Sequence, residues 1–338
     1  MTTITGSWTH AGQRRPKVYF YTDAEVGVPW PGPDADFIVD GKPKNPNIPW
    51  PRFVWCAFPG FDVTTNGNKA DIFVMRQRLI WVTKKQLLKL PYMRKDLMHR
   101  HVFFDLGSDG DPMCFRNFPD IPAIFFRGAA NKGMMKGTPT TVAWPWPVDD
   151  LSDYPLEYAG GFKHGIVYQG QDAPTQRHTA LDVVNVVRDS PIVFDAHIAI
   201  TPTFWGNMRD KALKAILRET FIDTLRASRL SLVPGCNDYG VTRYRFYETM
   251  SLGRVPVYIE DKRALPREDV IDYDRCCVFV KECDVPRIDV ILNDWLNAHT
   301  DAEILSMGAY GREMWKTYLD RARWGQEIEN IVRRKLSI

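Results

Sequence analysis

This sequence predicts an α/β chain with mostly parallel sheets, on three observations. Short β-branched and aromatic apolar runs recur along its 338 residues. Helical patterns sit between many of them, which is the alternation expected of strand–helix–strand units. A polar segment containing Gly and Pro, VDDLSDYPLEYAGGF (148–162), separates two such series and marks a domain boundary.

The first series is VYFYT (18–22), DIFVM (71–75), LIWVT (79–83), HVFFDL (101–106), AIFFRG (123–128) and TVAWPW (141–146); the second is GIVYQG (165–170), PIVFDA (191–196), RLSLVPG (229–235), VPVYIE (255–260) and CCVFVK (276–281). Each run is short, apolar and bounded by turn residues, so each reads as a buried strand. Helical patterns fall at 84–95, 175–187, 208–228, 244–252, 288–298 and 302–336. The last is long, and part of it can return to pack on the first domain. The domain reading is therefore 1–150, 151–315 and a returning helix at 316–338.

Bulk properties exclude several classes. Apolar content of 44% and charged content of 25% suit a globular fold and argue against disorder or collagen. A net charge of +3 provides neither a nucleic-acid footprint nor a polybasic membrane signal. No run approaches the roughly 18 apolar residues of a membrane span. The N-terminal stretch MTTITGSWTHAGQRRPK has no signal-peptide core, and no Asn-x-Ser/Thr sequon occurs. The six cysteines lack CxxC spacing and read as free thiols. The expectation is a cytoplasmic protein with no membrane span and no nucleic-acid partner.

The chemically informative stretch is TRYRFYETMSLGRVPV (242–257). At about 100° per residue, Phe246, Met250 and Gly253 fall on the side that packs on a sheet. Arg245 and Glu248 are three apart on a neighbouring side and can point at one small volume. The preceding SLVPGCNDYGVT (231–242) is a strand running into a glycine-bearing loop. Arg243 and Arg245 thus add positive charge where a helix N-terminus is already positive. That placement makes sense if a multiply charged anion such as a diphosphate docks there. Glu248 suits a pair of ribose hydroxyls. A plain surface Arg–Glu pair, worth only tenths of a kcal/mol, is the alternative. No GxGxxG and no GxxxxGK[ST] occurs, which argues against a kinase-like nucleotide site.

The block 228–271 resembles the exostosin family, glycosyltransferase family 47, supplying Ser228, Leu232, Pro234, Arg245, Glu248, Gly253, Pro256, Val257 and Pro266 in the family's order. HVFFDLGSDGDP (101–112), TPTTVAWPWP (138–147) and GIVYQGQDAPTQRHTALDVV (165–184) are similar to further family elements, the last supplying Gly170 and Arg177. The resemblance runs from about residue 100 to the C-terminus. The chain departs from the pattern at Arg243, where members often have Ser, at Ser231-Leu232 in place of Cys-Leu, and at Thr249 after the glutamate.

The resemblance implies a GT-B architecture, two Rossmann-like domains facing a cleft. It implies an inverting glycosyltransferase that moves a sugar from a UDP-sugar to a glycan hydroxyl. Xylose is the donor sugar chosen, with glucuronic acid, galactose and arabinose as the family's other donors. The implied diphosphate-binding residues are Arg245, Arg177 and Arg243, with Gly170, Gly235 and Thr242 in the surrounding loops; Glu248 would bind ribose. Asp109, Asp105 and Asp111 are the candidate bases, and Glu248 is their rival. Trp144, Trp146 and His101 are the acceptor-binding candidates. A structural histidine and Trp-Pro turns packed on the core are the other readings of those three residues. The two DxD triplets, Asp34-Ala35-Asp36 and Asp109-Gly110-Asp111, read as structural or loop residues, and the resemblance implies that protein cations rather than a divalent metal meet the leaving group, with no cofactor held tightly. A non-catalytic glycan-binding protein of the same fold is the competing reading.

Overall fold

A computed structural model of the protein describes residues 14–27, 38–39, 42–43, 58–75, 82–105, 121–128, 141–145, 148–171, 178–192, 195–201, 210–234, 244–261 and 264–338, without the side chains of 38–39, 42–43, 105, 171, 178–181 and 201. Among these residues the chain falls into two compact units. One lies within Met1–Phe104, Ile121–Ile124 and Gly325–Ile338, the other within Asp105–Asp120 and Phe125–Trp324. This division is drawn at other places than 150 and 315.

The expected α/β class is what the structure has: two parallel sheets with helices. The first sheet contains β1 (Lys17–Phe20), β4 (Asp62–Val63), β5 (Ile72–Met75), β6 (His101–Asp105), β7 (Ile124–Arg127) and β8 (Thr141–Ala143), in the order β4–β1–β5–β6–β7–β8. A two-stranded pair, β2 (Ile38–Val39) with β3 (Lys42–Pro43), is separate from it. The second sheet has the order β10–β9–β11–β12–β13, built from β9 (His164–Gln171), β10 (Ala196–Thr201), β11 (Ser228–Pro234), β12 (Val255–Ile259) and β13 (Val278–Val280). Its neighbouring strands are all parallel.

The second sheet is buried on both faces, which is why its central strands read as continuous apolar runs. Ile166, Leu230, Leu232, Val255 and Val257 point to one face. There they meet Val183, Val184 and Val187 of α3 (His178–Asp189) and Ile288 and Leu292 of α6 (Ile288–Ala298). Alternate residues point to the other face. Val167 packs with Phe221, Ile222 and Leu225 of α4 (Lys211–Arg226), and Val233 and Tyr258 pack with Phe246, Tyr247 and Met250 of α5 (Tyr244–Leu252). Each such side chain contributes about 1.5–3 kcal/mol by burial, so the face that holds α5 against the sheet is firmly set.

The structure departs from the sequence reading at several elements. The strand expected at 191–196 lies instead at Ala196–Thr201. It is an edge strand whose described side chains are half-buried or exposed. The continuous apolar run before it starts with Pro191, which cannot donate to a ladder. The helix expected at 84–95 stops early. α2 (Lys84–Leu87) is opened by a capping box between Thr83 and Gln86, and Pro91 lies just beyond it. Most of the expected strand 79–83 lies outside the described residues. A short helix, α1 (Asp23–Val26), follows β1 and ends at Gly27, whose φ of 69° requires the left-handed region.

The long C-terminal helix is broken. α7 (Asp301–Met314) passes into a π turn at Trp315–Leu319; Asp320 is extended and caps the next turn through Ala322 N–H at 3.1 Å, and α8 (Trp324–Leu336) follows. No Pro or Gly marks that break. Buried Trp315 and Trp324 flank it, with Trp324 Nε1 donating to the Leu319 carbonyl at 2.8 Å. Cys276 and Cys277 are buried free thiols and Cys283 is exposed; Cys56, Cys114 and Cys236 lie outside the described residues. Among the described residues, no helix is long and apolar enough to cross a membrane.

Candidate functional site

β11 ends at Pro234 and α5 begins at Tyr244, so the first turn of α5 lies toward the carboxyl edge of a parallel sheet. That edge is where open α/β sheets place ligands. Thr249 Oγ1 donates back to the Arg245 carbonyl at 2.6 Å, and the helix ends at Gly253 with φ 73°. The glycine serves a second purpose. A Cβ on Gly308 of α7 would stand 2.2 Å from the Gly253 carbonyl oxygen, so the two backbones touch there.

Phe221 of α4 lies beneath two guanidinium groups, one from each helix, and Glu248 pairs with one of them. The Arg245 guanidinium carbon lies 4.2 Å from the Phe221 ring centroid. Glu248 Oε1 accepts from Arg218 Nη1 at 2.6 Å, and the Arg218 guanidinium lies 5.3 Å from the same ring. Arg218 also donates to Asp149 Oδ2 at 3.2 Å. Two helices therefore each present an i,i+3 pair to the other: Arg218 and Phe221 from α4, Arg245 and Glu248 from α5. Guanidinium groups over an aromatic face gain from the ring quadrupole, which places two positive groups near the α5 N-terminus.

Arg218 is the residue that sequence reasoning missed. Its signal was present, because Phe221 lies one turn further along the same amphipathic helix. The pairing with Glu248 could not be read, because the two are 30 residues apart and meet only once both helices dock on one sheet face. Asp150 fixes the neighbouring segment. Its Oδ1 accepts from Ser152 N–H, Ser251 Oγ and Trp315 Nε1 at 2.9, 3.1 and 3.3 Å. Burial acts to raise its carboxyl, and these hydrogen bonds outweigh that effect and hold it below the usual carboxylate range. The anchored Asp150 sets where its neighbour Asp149 reaches Arg218.

Gly170 lies near the carboxyl end of β9, where an added Cβ would stand 2.7 Å from the Tyr168 hydroxyl. Asp105 is the last residue of β6, and its side chain is not described. Arg177, Arg243, Gly235, Thr242, Asp109, Asp111 and Trp146 lie outside the described residues.

Two acceptor candidates do not suit that role. Trp144 is 1% exposed and packs edge-on against Phe126 and Trp324 at 5.1 and 5.8 Å, so neither face is open to a sugar. His101 is fully buried among Tyr21, Phe73 and Phe103. Its Nε2 is 2.8 Å from the Tyr21 hydroxyl and its Nδ1 is 3.0 Å from the Leu97 carbonyl. Desolvation pushes its pKa down to about 4. Among the described residues, no group of three His, Cys, Asp or Glu side chains could hold a metal ion.

Residues 158–295 match the model of the exostosin GT47 domain, a span that contains β9 to β13, α3 to α5 and most of α6. The chain is similar to two rice proteins (Oryza sativa subsp. japonica), each named probable glucuronosyltransferase. Identity is 34% over 93 and 91 residues, covering 27% and 26% of this chain. The match covers only 21% of the length of each of these relatives. Among solved structures, the chain is similar to Anabaena HepE in complex with UDP-glucose, with a TM-score of 0.45 and 11% identity over 80% of this chain and 79% of that one. It is also similar to the apo form of the lipopolysaccharide outer core galactosyltransferase WaaB, with a TM-score of 0.47 and 13% identity over 79% and 76% of the two chains. Residues 158–295, which hold the second parallel sheet and the Arg245–Glu248 helix, are thus similar to the exostosin GT47 domain.

Proposed function

We propose that the protein is an inverting glycosyltransferase that moves a sugar from a UDP-sugar to a glycan hydroxyl. One observation carries this reading: the helix bearing Arg245 and Glu248 lies inside the matched exostosin domain and starts toward the carboxyl edge of its parallel sheet. Glucuronic acid ranks ahead of xylose as the donor sugar, because both rice relatives are named probable glucuronosyltransferases.

In the proposed reaction an acceptor hydroxyl gives its proton to a carboxylate base. The oxygen attacks the anomeric carbon from the side opposite the leaving group, the glycosidic bond to the diphosphate breaks, and UDP departs with the electron pair. Arg245, with Arg177 and Arg243 as further candidates, meets the charge that develops on the diphosphate. Removing one such donor typically costs about 10²–10³ in rate. Glu248 accepts from the ribose hydroxyls. Asp105, Asp109 and Asp111 are the proposed bases. Cationic side chains, not a divalent metal, are proposed to stabilise the leaving group, so transfer should persist in EDTA.

A thermal-shift panel of UDP, UDP-glucuronic acid, UDP-xylose and UDP-galactose tests this. A ligand at about 100 times its Kd stabilises the fold by about 2.7 kcal/mol. The expected result is stabilisation of the wild type by UDP and loss of that response in Arg245→Ala. No response to any uridine diphosphate ligand refutes the reading. Stabilisation by UDP without release of UDP from any donor in the presence of acceptor glycans favours a binding protein instead.

A further inference from the structure

We propose that Arg218 is a positioning residue for the nucleotide site. It holds one oxygen of Glu248 so that the other is aimed at the paired hydroxyls of a ribose. The inference rests on the reading of Glu248 as the ribose acceptor. Arg218 has two carboxylate partners, and geometry decides between them. Glu248 is closer, at 2.6 Å against 3.2 Å for Asp149. It is also far less exposed, at 13% of its side chain against 71%. An exposed pair is screened by solvent and salt and contributes little, so the contact with Glu248 is the one that matters.

Glutamate has three side-chain torsions, and a ligand that had to order all of them would lose affinity. In this structure the ordering is done beforehand. Arg218 Nη1 takes Oε1, and among the described residues no hydrogen bond engages Oε2. Phe221 supports Arg218 from the same helix and Arg245 from the next. The guanidinium that orients the ribose acceptor and the guanidinium proposed for the diphosphate thus rest on one ring. Their separation is set by side chains that do not themselves touch the ligand.

The test compares the affinities of UDP and 2′,3′-dideoxy-UDP, measured by calorimetry, for the wild type, Arg218→Gln, Glu248→Gln and the double variant. A hydrogen bond to a charged group is worth about 10- to 100-fold in affinity, so the wild type should prefer UDP by at least about tenfold. In Arg218→Gln and Glu248→Gln that preference should fall toward one, and the double variant should lose no more than either single change. Arg218→Lys should retain part of the preference, because an ammonium reaches one carboxylate oxygen without the fork geometry. A wild-type preference kept in Arg218→Gln, or lost there but kept in Glu248→Gln, overturns the inference. If Arg218→Gln does not fold, an unchanged preference in Arg218→Lys overturns it. A wild type that binds neither ligand refutes the function proposed above and this inference with it. A wild type that prefers UDP while Arg218→Gln does too refutes only the inference.

Discussion

His101 is held neutral by its surroundings, and that ties stability to pH. Its pKa, about 4 in the fold against an ordinary 6.5, is lowered by desolvation. The neutral ring is therefore the form the folded chain accepts. Its contribution is complete above about pH 6.5 and is lost as pH falls toward 4, where the unfolded chain binds a proton that the folded chain refuses. A shift of this size corresponds to about 3 kcal/mol over that window. Urea unfolding at pH 7 and at pH 4.5 should show the wild type losing more stability than His101→Phe, whose ring fits among Tyr21, Phe73 and Phe103. Equal losses in the two proteins would refute this. Sequence reading singled out His101 at the start of an apolar run and Trp144 as a ring before the domain boundary. Burial, which decides what either ring can touch, depends on elements distant in the chain.

The ends of α4 and α5 meet at a cation that sequence reading passed over. Arg254 is 1% exposed. Its Nε and Nη2 donate to the Arg226 carbonyl at 2.9 and 2.7 Å, its Nη1 to Gly253 at 2.8 Å, and its Nη2 to Leu156 at 2.7 Å. Arg312 of α7 serves the same region through the carbonyls of Tyr154 and Leu252. Helix C-termini carry unpaired carbonyls and partial negative charge, so a buried guanidinium is stable there. Desolvation, with the neighbouring Arg312 and Arg226, lowers Arg254 to about 10, still high enough to keep it charged. Arg254→Met leaves three carbonyls without this donor and should cost about 2–4 kcal/mol, read from the urea midpoint; a loss within about 0.5 kcal/mol, the size of ordinary surface effects, would refute the capping role. Gly308→Ala should cost about 1–3 kcal/mol, because its Cβ would meet backbone at Gly253, which cannot rotate away as a side chain could.

The C-terminal helix is bound into the first unit by polar contacts at Gly60, from Glu329 and Arg333, and by an apolar stripe. Glu329 is 4% exposed; its Oε2 accepts from the Gly60 N–H at 2.6 Å and its Oε1 from Arg333 Nε at 2.8 Å. Arg333 lies over the Phe61 ring at 4.7 Å, and Ile328, Ile331 and Val332 are buried. Glu329→Ala strands the Gly60 N–H and one charge, and should destabilise the protein by about 2–4 kcal/mol. Deleting residues 325–338 should expose the apolar surface that this stripe covers and raise binding of a hydrophobic dye at room temperature. A truncated chain that melts at the wild-type temperature without dye binding would show the helix to be dispensable.

The sequence by itself determined the α/β class, most of the second sheet, the helix carrying Arg245 and Glu248, and the likeness of residues 158–295 to the exostosin GT47 domain. Those features are written in local period, turn residues and short-range spacing. Tertiary structure alone decided that PIVFDA yields its place to AHIAIT, that the last helix breaks at Trp315, and that Glu248 pairs with Arg218. Edge or centre of a sheet, burial of a ring, and the meeting of side chains on different helices all depend on how distant segments dock. No periodicity within one segment carries that information.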